Sequence, residues 1–302
     1  MALTGRLATS CDPMNVSSHC PICLASAVSV VRLPVGIVVA TCAGCGLLYQ
    51  PHRPSHAELA RLYSEVSYCA WGLDVDETIV QRMKAATFNT YLAVVEKYIG
   101  RGQLLDLGCG TGFLLECALA RGWDARGVEL APVAAQACRR RVGESRVFEG
   151  ALEAAPYSAA RFAAVTMFDY LEHVPDPRST LTQVAALLRP GGIVALTTPY
   201  VGALSHRLMG LRWSQFKAEH LQYFSPRSLT QALVRTGFVP LKLAPAVKSL
   251  NLDYIARHME LYPHSLLTPV SALARRLSGR RLARRNFPIR TGDLFALARC
   301  EA

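Results

Sequence analysis

The chain has 302 residues, of which 51% are hydrophobic and 18% are charged, and its formal net charge is +11. This length and composition predict a folded chain with a full-sized core, enough for one main domain and a smaller appendage, and they exclude a disordered protein. No run of about 18 apolar residues occurs and the first residues lack the apolar stretch of a signal peptide, so we expect no membrane span, no export and a cytoplasmic location.

Two Cys-x-x-Cys pairs lie in the N-terminal segment, residues 1–50, which we interpret as a zinc ribbon. The pairs are separated by 18 residues, a gap expected when two pairs bind one tetrahedral zinc ion. Four thiolates leave no open coordination position, so a structural metal is favoured over a catalytic one, and the doubled pair argues against a thioredoxin-like redox site. The expected ligands are Cys20, Cys23, Cys42 and Cys45.

Residues 51–100 predict a helical lead-in to the main domain. Ser55 is a candidate N-cap for a first helix, and a longer helix is predicted over about 77–98. Between the two helices lie aromatic residues for which two interpretations stay open, a lid over a ligand or ordinary packing against the sheet. These residues are Tyr63, Tyr68 and Trp71.

A glycine-rich turn follows an apolar strand that contains Asp106. Gly108, Gly110 and Gly112 allow a tight turn and a close approach of the backbone to a ligand, and the helix predicted over about 113–122 presents unpaired N–H groups. This pattern is typical of a loop that binds a nucleotide. A dinucleotide fingerprint would place its third glycine one position later, so NAD is disfavoured.

The next strand ends at Glu129, roughly 20 residues beyond the glycines, where an acid commonly binds ribose hydroxyls. Glu129 is therefore the candidate ribose ligand, and the alternative is a solvated acid after a tight turn. Alternating strands and helices over residues 103–198 predict an α/β fold with a doubly wound, mainly parallel sheet.

Further segments continue the pattern: a buried strand at 165–168, the sequence Leu-Glu-His-Val-Pro-Asp-Pro at 171–177, a helix end with a Pro-Gly turn at 188–192 and a strand at 193–197. Together with the glycine-rich turn and Glu129, they resemble the class I S-adenosylmethionine-dependent methyltransferases over most of residues 100–245. The resemblance implies a Rossmann-like sheet, S-adenosylmethionine as cofactor and methyl transfer as the reaction.

The resemblance also implies a cofactor site. Asp106, Gly108 and Gly110 would lie along the methionine tail and the sugar, while Leu130 would pack on adenine and Phe168 would line the sulfonium end. Many relatives carry Asp at the adenine edge where this chain has Ala151, a departure that bears on cofactor affinity. The implied cofactor-binding residues are Asp106, Gly108, Gly110, Gly112, Glu129, Leu130, Ala151, Leu152 and Phe168.

Methyl transfer is an in-line displacement that depends mainly on alignment and exclusion of water. A hydroxyl acceptor must also lose a proton, for which the pKa of histidine is suitable. The candidate bases are His173, near the end of the strand at 165–168, and His220, with Glu172 to orient either one. For His173 the alternative is a hydrogen bond that fixes the loop.

Residues 200–225 interrupt the alternation with aromatic and polar side chains, which predicts a substrate cap or, alternatively, a satellite core. A helix over 228–236 and strands at 238–243 and 294–298 are predicted to complete the sheet. The clustered residues of the cap are Trp213, Phe216, Lys217, His220, Tyr223 and Phe224.

Residues 245–290 predict a basic insertion. Seven arginines fall within residues 275–290, which contain no acid, and Val270, Leu273 and Leu277 recur at helical spacing. The resulting amphipathic helix could be a solvated face, a peripheral contact with an anionic membrane or, last, a nucleic-acid contact.

The sequence thus predicts an enzyme whose methyltransferase domain spans residues 101–302 and that methylates a small molecule, a sugar, a quinone or a lipid-linked metabolite, at oxygen. An RNA methyltransferase is the first alternative, although residues 168–171 lack the Asn/Asp-Pro-Pro-aromatic turn that holds an exocyclic amine. A regulator that only binds the cofactor is the second, and the presence of Asp106, Glu129 and His173 argues against it.

Overall fold

The computed structural model describes residues 19–52, 54, 58, 77–261 and 267–301. The aromatic residues expected between the two lead-in helices, and most of the helix expected to begin at Ser55, lie outside the described residues. Among the described residues, no helix combines the length and the apolar character needed to cross a bilayer.

Eleven strands occur within the described residues: β1 (Ala27–Arg32), β2 (Val38–Cys42), β3 (Leu48–Tyr49), β4 (Gln103–Leu107), β5 (Asp124–Glu129), β6 (Val147–Glu149), β7 (Phe162–Phe168), β8 (Leu188–Pro199), β9 (Gln222–Tyr223), β10 (Phe238–Leu250) and β11 (Phe287–Cys300). The α-helices described are α1 (Glu77–Val95), α2 (Phe113–Ala120), α3 (Pro132–Val142), α4 (Pro177–Leu187), α5 (Leu204–Met209), α6 (Pro226–Arg235), α7 (Leu252–Leu261), α8 (Leu267–Leu277) and α9 (Gly279–Ala283).

The main sheet has seven strands in the order β10-β11-β8-β7-β4-β5-β6. Strands β4 to β8 pair in parallel, whereas β11 pairs antiparallel with both β8 and β10. The expected α/β fold with a mainly parallel sheet is therefore confirmed. Because β4 lies between β5 and β7, the chain reverses direction across the sheet at β4, and ligands bind outside the carboxyl ends of the strands at such a point.

The apolar runs explain why these strands lie at the centre of the sheet. Leu104, Leu105 and Leu107 of β4 are fully buried, as are most side chains of β7, the pattern of parallel strands covered by helices on both faces. The motif at 171–177 ends in a helix start, since Asp176 Oδ1 accepts a hydrogen bond from Ser179 N at 2.9 Å and Pro177 begins α4. Asp176 and Pro177 thus form the N-terminus of α4, Asp176 as N-cap and Pro177 as the first helical residue.

Two strands of the main sheet are longer than the sequence suggested. Strands β10 and β11 have 13 and 14 residues and stay paired as far as Leu250 and Phe287, because backbone pairing continues where the apolar pattern has ended. Residues 188–192 belong to β8 instead of forming a helix end, and α4 ends at Leu187. The helices of the basic segment lie between β10 and β11.

A second, four-stranded sheet joins the N-terminal segment to the cap in the order β1-β2-β3-β9. The Gln50 side-chain amide strengthens this junction, since its Nε2 donates to the carbonyl oxygens of Ala218 at 3.0 Å and His220 at 2.8 Å. Trp213, Phe216 and Tyr223 pack here with residues of the N-terminal segment. These three aromatic residues form a satellite core within residues 200–225. We keep the name cap for the whole of this segment.

Candidate active site

A cavity of about 1190 Å³ opens at the carboxyl ends of β4, β5 and β7. The glycine-rich turn, the end of β5 and the turn after β7 line one part of it, and α1, the 205–220 segment and α7 line the rest. Ligand pockets commonly measure roughly 300 to 1,000 Å³. The volume therefore accommodates a nucleoside cofactor together with a second small molecule.

The three glycines of the turn have different surroundings. All have positive φ, but a Cβ on Gly108 would lie 2.7 Å from the Tyr170 ring and one on Gly112 would lie 2.7 Å from Cys138 Sγ. Gly110 has no atom within 4 Å of such a Cβ, so its backbone faces open space that a ligand can enter. Gly112 does not line the cavity and serves the packing of the turn against α3.

Glu129 lies at the cavity wall and ties two segments together. Its Oε2 accepts a hydrogen bond from Gly110 N at 2.8 Å, and its Oε1 accepts one from Ala131 N at 2.9 Å. Burial raises the pKa of Glu129, and these backbone donors lower it in part. The carboxylate that sequence reasoning assigned to the ribose therefore also holds the glycine-rich turn against the end of β5.

Asp106 is 5% exposed and lies beneath the turn. Its Oδ1 accepts a hydrogen bond from Thr166 Oγ1 at 2.7 Å. Burial raises the pKa of Asp106 to about 7, against the lowering effect of that hydrogen bond, and the charge of Glu129 raises it further. The other residues expected around the cofactor also line the cavity: Leu130, Ala151, Leu152 and Phe168.

The two candidate bases, His173 and His220, meet across the cavity wall. Their ring centroids are 4.8 Å apart in an edge-to-face arrangement. His173 Nδ1 lies 3.0 Å from the carbonyl oxygen of Glu219, and His220 Nδ1 lies 2.8 Å from that of Gln215. Because a carbonyl oxygen only accepts, each Nδ1 carries the proton and each neutral ring keeps its basic lone pair on Nε2.

Burial lowers the pKa of both imidazoles, and for His220 the charge of His173 lowers it further. Both rings are therefore neutral near pH 7 and able to accept a proton. Glu172 lies beside them, 1% exposed, and its Oε2 has no hydrogen-bond partner among the described residues. The donor atoms of Glu172, His173 and His220 lie within 4.8 Å of one another, close enough for one divalent cation to contact all three.

A fully buried glutamine fixes the turn that carries His173. Gln222 Nε2 donates to the carbonyl oxygens of Leu171 at 2.9 Å and Val174 at 2.6 Å. Gln222 belongs to β9, which pairs with β3 of the N-terminal segment. The N-terminal segment, the cap and the turn at His173 are thus connected by hydrogen bonds.

Sequence reasoning missed a charge cluster at the same cavity, in which Asp293 is buried and Lys248 and Asp169 are partly buried. Lys248 Nζ lies 2.7 Å from Asp169 Oδ2 and 2.8 Å from Asp293 Oδ2. Although burial opposes both charges, the Lys248 ammonium holds the pKa of Asp169 below its usual range, and the two carboxylates raise the pKa of Lys248. Only the position of Asp169, directly after β7, was a usable sequence signal, since Lys248 and Asp293 belong to no motif.

The four N-terminal cysteines converge as expected. Cys20 Sγ lies 3.5 Å from Cys45 Sγ, and Cys23 Sγ lies 3.3 Å from Cys42 Sγ. Backbone N–H groups of residues 22, 44 and 45 point at the sulfur atoms, and the donors together could hold one metal ion. Gly46, which directly follows the second pair, has φ +73° and so forms a left-handed turn there. This all-thiol set fits a structural zinc ion.

The fold and the site define a class I methyltransferase that uses S-adenosylmethionine. A family model described as a methyltransferase domain matches residues 80–243, more than half of the chain. The chain therefore belongs to this methyltransferase family, and its cofactor is S-adenosylmethionine.

Several curated relatives carry the name ubiquinone biosynthesis O-methyltransferase. The protein from Paracidovorax citrulli is 29% identical over 216 residues, covering 68% of this chain and 86% of the relative. That from Aromatoleum aromaticum is 40% identical over 101 residues, covering 32% of this chain and 43% of the relative. The second match thus spans less than half the length of that relative.

Solved structures show the same fold at low sequence identity. Geranyl diphosphate C-methyltransferase from Streptomyces coelicolor is 16% identical with a TM-score of 0.51, and the [4+2]-cyclase SpnF is 18% identical with a TM-score of 0.50. Each match covers 82% of this chain and 97% of the other. The likeness of the cyclase illustrates that fold alone does not specify the reaction.

Proposed function

We propose that this enzyme methylates a phenolic oxygen on a quinone-type ring. Relatives named ubiquinone biosynthesis O-methyltransferase support this acceptor class. The observation that carries the proposal is the pair of imidazoles, His173 and His220, that meet on the wall of the cavity that also contains Glu129; burial favours their neutral form. A carbon acceptor without an acidic proton would need no such base.

In the proposed complex, Glu129 accepts hydrogen bonds from the ribose hydroxyls while it keeps its bonds to the backbone. Gly110 faces the ligand with its open side, Asp106 lies beneath the methionine tail, and Leu130 packs on adenine. The adenine edge, at Ala151 and Leu152, lacks an acid. Phe168 lines the sulfonium end, which directs the methyl group toward Asp169 and the histidines.

The reaction then needs one proton transfer. The acceptor hydroxyl gives its proton to Nε2 of His173, and the freed oxygen electron pair forms the bond to the methyl carbon. Bound S-adenosylmethionine would supply the methyl group, and its sulfur would keep the electron pair of the broken carbon–sulfur bond, so the chain needs no acid to protonate the leaving S-adenosylhomocysteine. His220 is the alternative acceptor of the proton. The carbonyl oxygens of Glu219 and Gln215 orient the two rings through Nδ1, the role expected for Glu172 from the sequence.

The proposal is tested with labelled S-adenosylmethionine and three classes of acceptor: catechols carrying an apolar tail, sugars and cellular RNA. We expect label in the catechols alone. Replacing His173 with alanine should then lower kcat by ~10²- to 10⁴-fold, because general-base catalysis contributes that range, and should spare the affinity for S-adenosylhomocysteine. Label in RNA alone would overturn the proposal.

A histidine outside the cavity, His206, provides the control for this substitution. His206 packs against Trp213 and Phe216 outside the cavity, so replacing His206 with alanine should leave kcat within a few-fold. Dialysis against a chelator distinguishes a protein base from a cation held by Glu172, His173 and His220. Unchanged activity after dialysis supports the base. Because a chelator can also remove zinc from the N-terminal cysteines, only a loss that Mg²⁺ restores while the zinc content is unchanged contradicts it.

We also propose that the N-terminal cysteines bind zinc with a purely structural role, the described residues 19–50 forming a ribbon that supports the cap. The donor set supports this, since four thiolates complete a tetrahedral shell. The ribbon pairs with the cap through β3 and β9, and among the described residues it contributes no side chain to the cavity wall.

Finally, we propose a peripheral contact with anionic membranes through α8. Val270, Leu273 and Leu277 on this helix are 62%, 56% and 77% exposed, an apolar face that a bilayer surface could cover. Two arginines of the basic segment are already paired, Arg275 with Glu260 at 3.9 Å and Arg284 with Asp253 at 3.5 Å. The attraction to lipid would therefore be smaller than seven charges suggest.

Co-sedimentation with phosphatidylglycerol vesicles tests this contact. We expect binding at low ionic strength, loss of binding at ~0.5 M salt, where charges are strongly screened, and little binding to neutral vesicles. Replacing Leu273 and Leu277 with serine should weaken the binding. No binding to anionic vesicles would leave α8 as a solvated face, and tight RNA binding instead would favour a nucleic-acid contact.

A further inference from the structure

The cavity contains a buried hydroxyl that the protein itself does not satisfy. Tyr91 of α1 is 4% exposed, and its Oη has no hydrogen-bond partner among the described residues. The ring packs on Phe168 and Phe295, with centroids 4.9 and 5.1 Å away. Phenylalanine would fill this space equally well, so packing does not require the hydroxyl. Buried polar groups normally have partners, which suggests that a ligand supplies one.

The charge cluster described above lies in the same part of the cavity. The charges of Lys248, Asp169 and Asp293 all act on the Tyr91 hydroxyl. Thr197 Oγ1 donates to Asp169 at 2.8 Å and Thr291 Oγ1 donates to Asp293 at 2.7 Å. These bonds hold both carboxylates in position around the ammonium before any ligand binds.

The formal charges of this region cancel. Lys84 of α1 also lines the cavity and adds a second ammonium group to that of Lys248. The region then has two ammonium groups and two carboxylates, those of Asp169 and Asp293. Burial lowers the pKa of Lys84, and the charge of Asp169 raises it. Maintaining charges in a buried site costs free energy, and an apolar ligand would make no use of them. A ligand that carries a polar or ionised oxygen would interact favourably with these charges.

The location relative to the cofactor indicates which ligand this is. Asp169 directly follows Phe168, the residue proposed at the sulfonium end, and Tyr91 contacts the Phe168 ring. The charge of Asp169 also acts on His173 and His220. An acceptor oxygen in this space therefore lies between the methyl donor, the histidines and the Lys248 cluster.

We infer that Tyr91 and Lys248 form a subsite for the reacting oxygen of the acceptor, which we name the oxygen subsite. The Tyr91 hydroxyl donates a hydrogen bond to this oxygen, and the Lys248 ammonium stabilises the negative charge left when the proton moves to His173. The inference rests on the proposed O-methylation and narrows it, because a phenol or catechol hydroxyl is acidic enough to give its proton to a histidine and a sugar hydroxyl is much less acidic.

The test uses 4-nitrocatechol, a chromophoric catechol whose visible spectrum reports its ionisation, with S-adenosylhomocysteine saturating. Replacing Tyr91 with phenylalanine should weaken probe binding by tenfold or more, the range for loss of a hydrogen bond to a charged oxygen. The melting temperature and the affinity for S-adenosylhomocysteine should not change. Probe affinity within twofold of the wild type would overturn the role of Tyr91.

Tyr157 provides a matched control, since its ring packs on Phe162 and it does not line the cavity. Replacing Tyr157 with phenylalanine should leave probe binding unchanged. For the ammonium, the double variant Lys248→Met/Asp293→Asn keeps the formal charge of the cluster at zero. We expect the bound probe to be ionised in the wild type and neutral in this variant at the same pH. An identical spectrum in both would overturn the role of Lys248.

The titratable groups that line this part of the cavity are Lys84, Asp169, Glu172 and the two imidazoles, and their charges depend on pH. The two spectra are therefore compared at the same pH, chosen so that the variant still unfolds cooperatively.

Failure of this inference and failure of the proposed function give different results. If the wild type methylates no phenol, the proposed function fails whatever the probe shows. If it methylates catechols and Tyr91→Phe changes neither kcat/KM nor probe affinity, only the oxygen subsite is wrong.

Discussion

Replacing Glu129 with alanine should weaken the binding of S-adenosylhomocysteine by roughly 10- to 150-fold. A hydrogen bond to a charged group contributes about 1.5 to 3 kcal/mol, and every 1.4 kcal/mol changes affinity about tenfold. The carboxylate also accepts bonds from Gly110 N at 2.8 Å and Ala131 N at 2.9 Å. Its removal therefore releases the glycine-rich turn as well, which moves the expected effect toward the upper end.

Glu129→Gln separates these two contributions. The amide keeps the shape and one acceptor oxygen, but its NH₂ group must face one of the two backbone N–H donors. Because two donors then meet, we expect this variant to bind more weakly than the wild type and more tightly than the alanine variant. Isothermal titration calorimetry with S-adenosylhomocysteine measures all three affinities.

A glutamate on the neighbouring strand provides the control. Glu149 of β6 is the register partner of Glu129, but its carboxylate pairs with Arg139 at 2.8 Å and does not line the cavity. Glu149→Ala should leave the affinity within about twofold. An unchanged affinity for Glu129→Ala would refute the ribose assignment, and an equal loss for both variants would show a general effect on folding.

Three further predictions concern the support of the site. Cys42→Ser should lose zinc by elemental analysis and lower the melting temperature, and full metal content in the variant would exclude the site. Gln50→Ala removes the bond to the His220 carbonyl and should lower kcat several-fold without changing S-adenosylhomocysteine affinity; an unchanged kcat would separate the ribbon from catalysis. Glu96→Gln should lower the free energy of unfolding at pH 7 by ~1 to 3 kcal/mol, since hydrogen bonds from Arg121 chiefly lower the pKa of Glu96 to about 2. This stabilisation is complete above the unfolded-state pKa of Glu96 and is lost as the pH falls toward 2. The difference in the free energy of unfolding between the wild type and the variant, measured by denaturant melts, should therefore shrink below pH 4.5. A difference that stays constant with pH would contradict this prediction.

The local chemistry of the site could be predicted from the sequence. Spacing along the chain was sufficient to predict the three glycines, the acid at the end of β5 and the paired cysteines. In each case the residues involved lie close together in the sequence, and their spacing fixes which groups can meet. For the same reason the parallel sheet was predictable, because alternating apolar runs specify which segments are strands. The structure distinguishes the three glycines, since the side of Gly112 that a Cβ would occupy faces Cys138 and Gly112 does not line the cavity.

The contacts that complete the site come from residues distant in sequence. Lys248 and Asp169 are 79 positions apart, and Gln50 and His220 are 170 positions apart. No periodicity connects such pairs, since their meeting depends on strand order, on the register of the long β10–β11 pair and on how the N-terminal sheet docks on the cap. The sequence by itself thus determined the fold class and the cofactor, and it predicted which four cysteines would lie together. Only the tertiary structure decided which charges and which hydroxyl line the cavity together, because packing and register set those positions and local spacing does not.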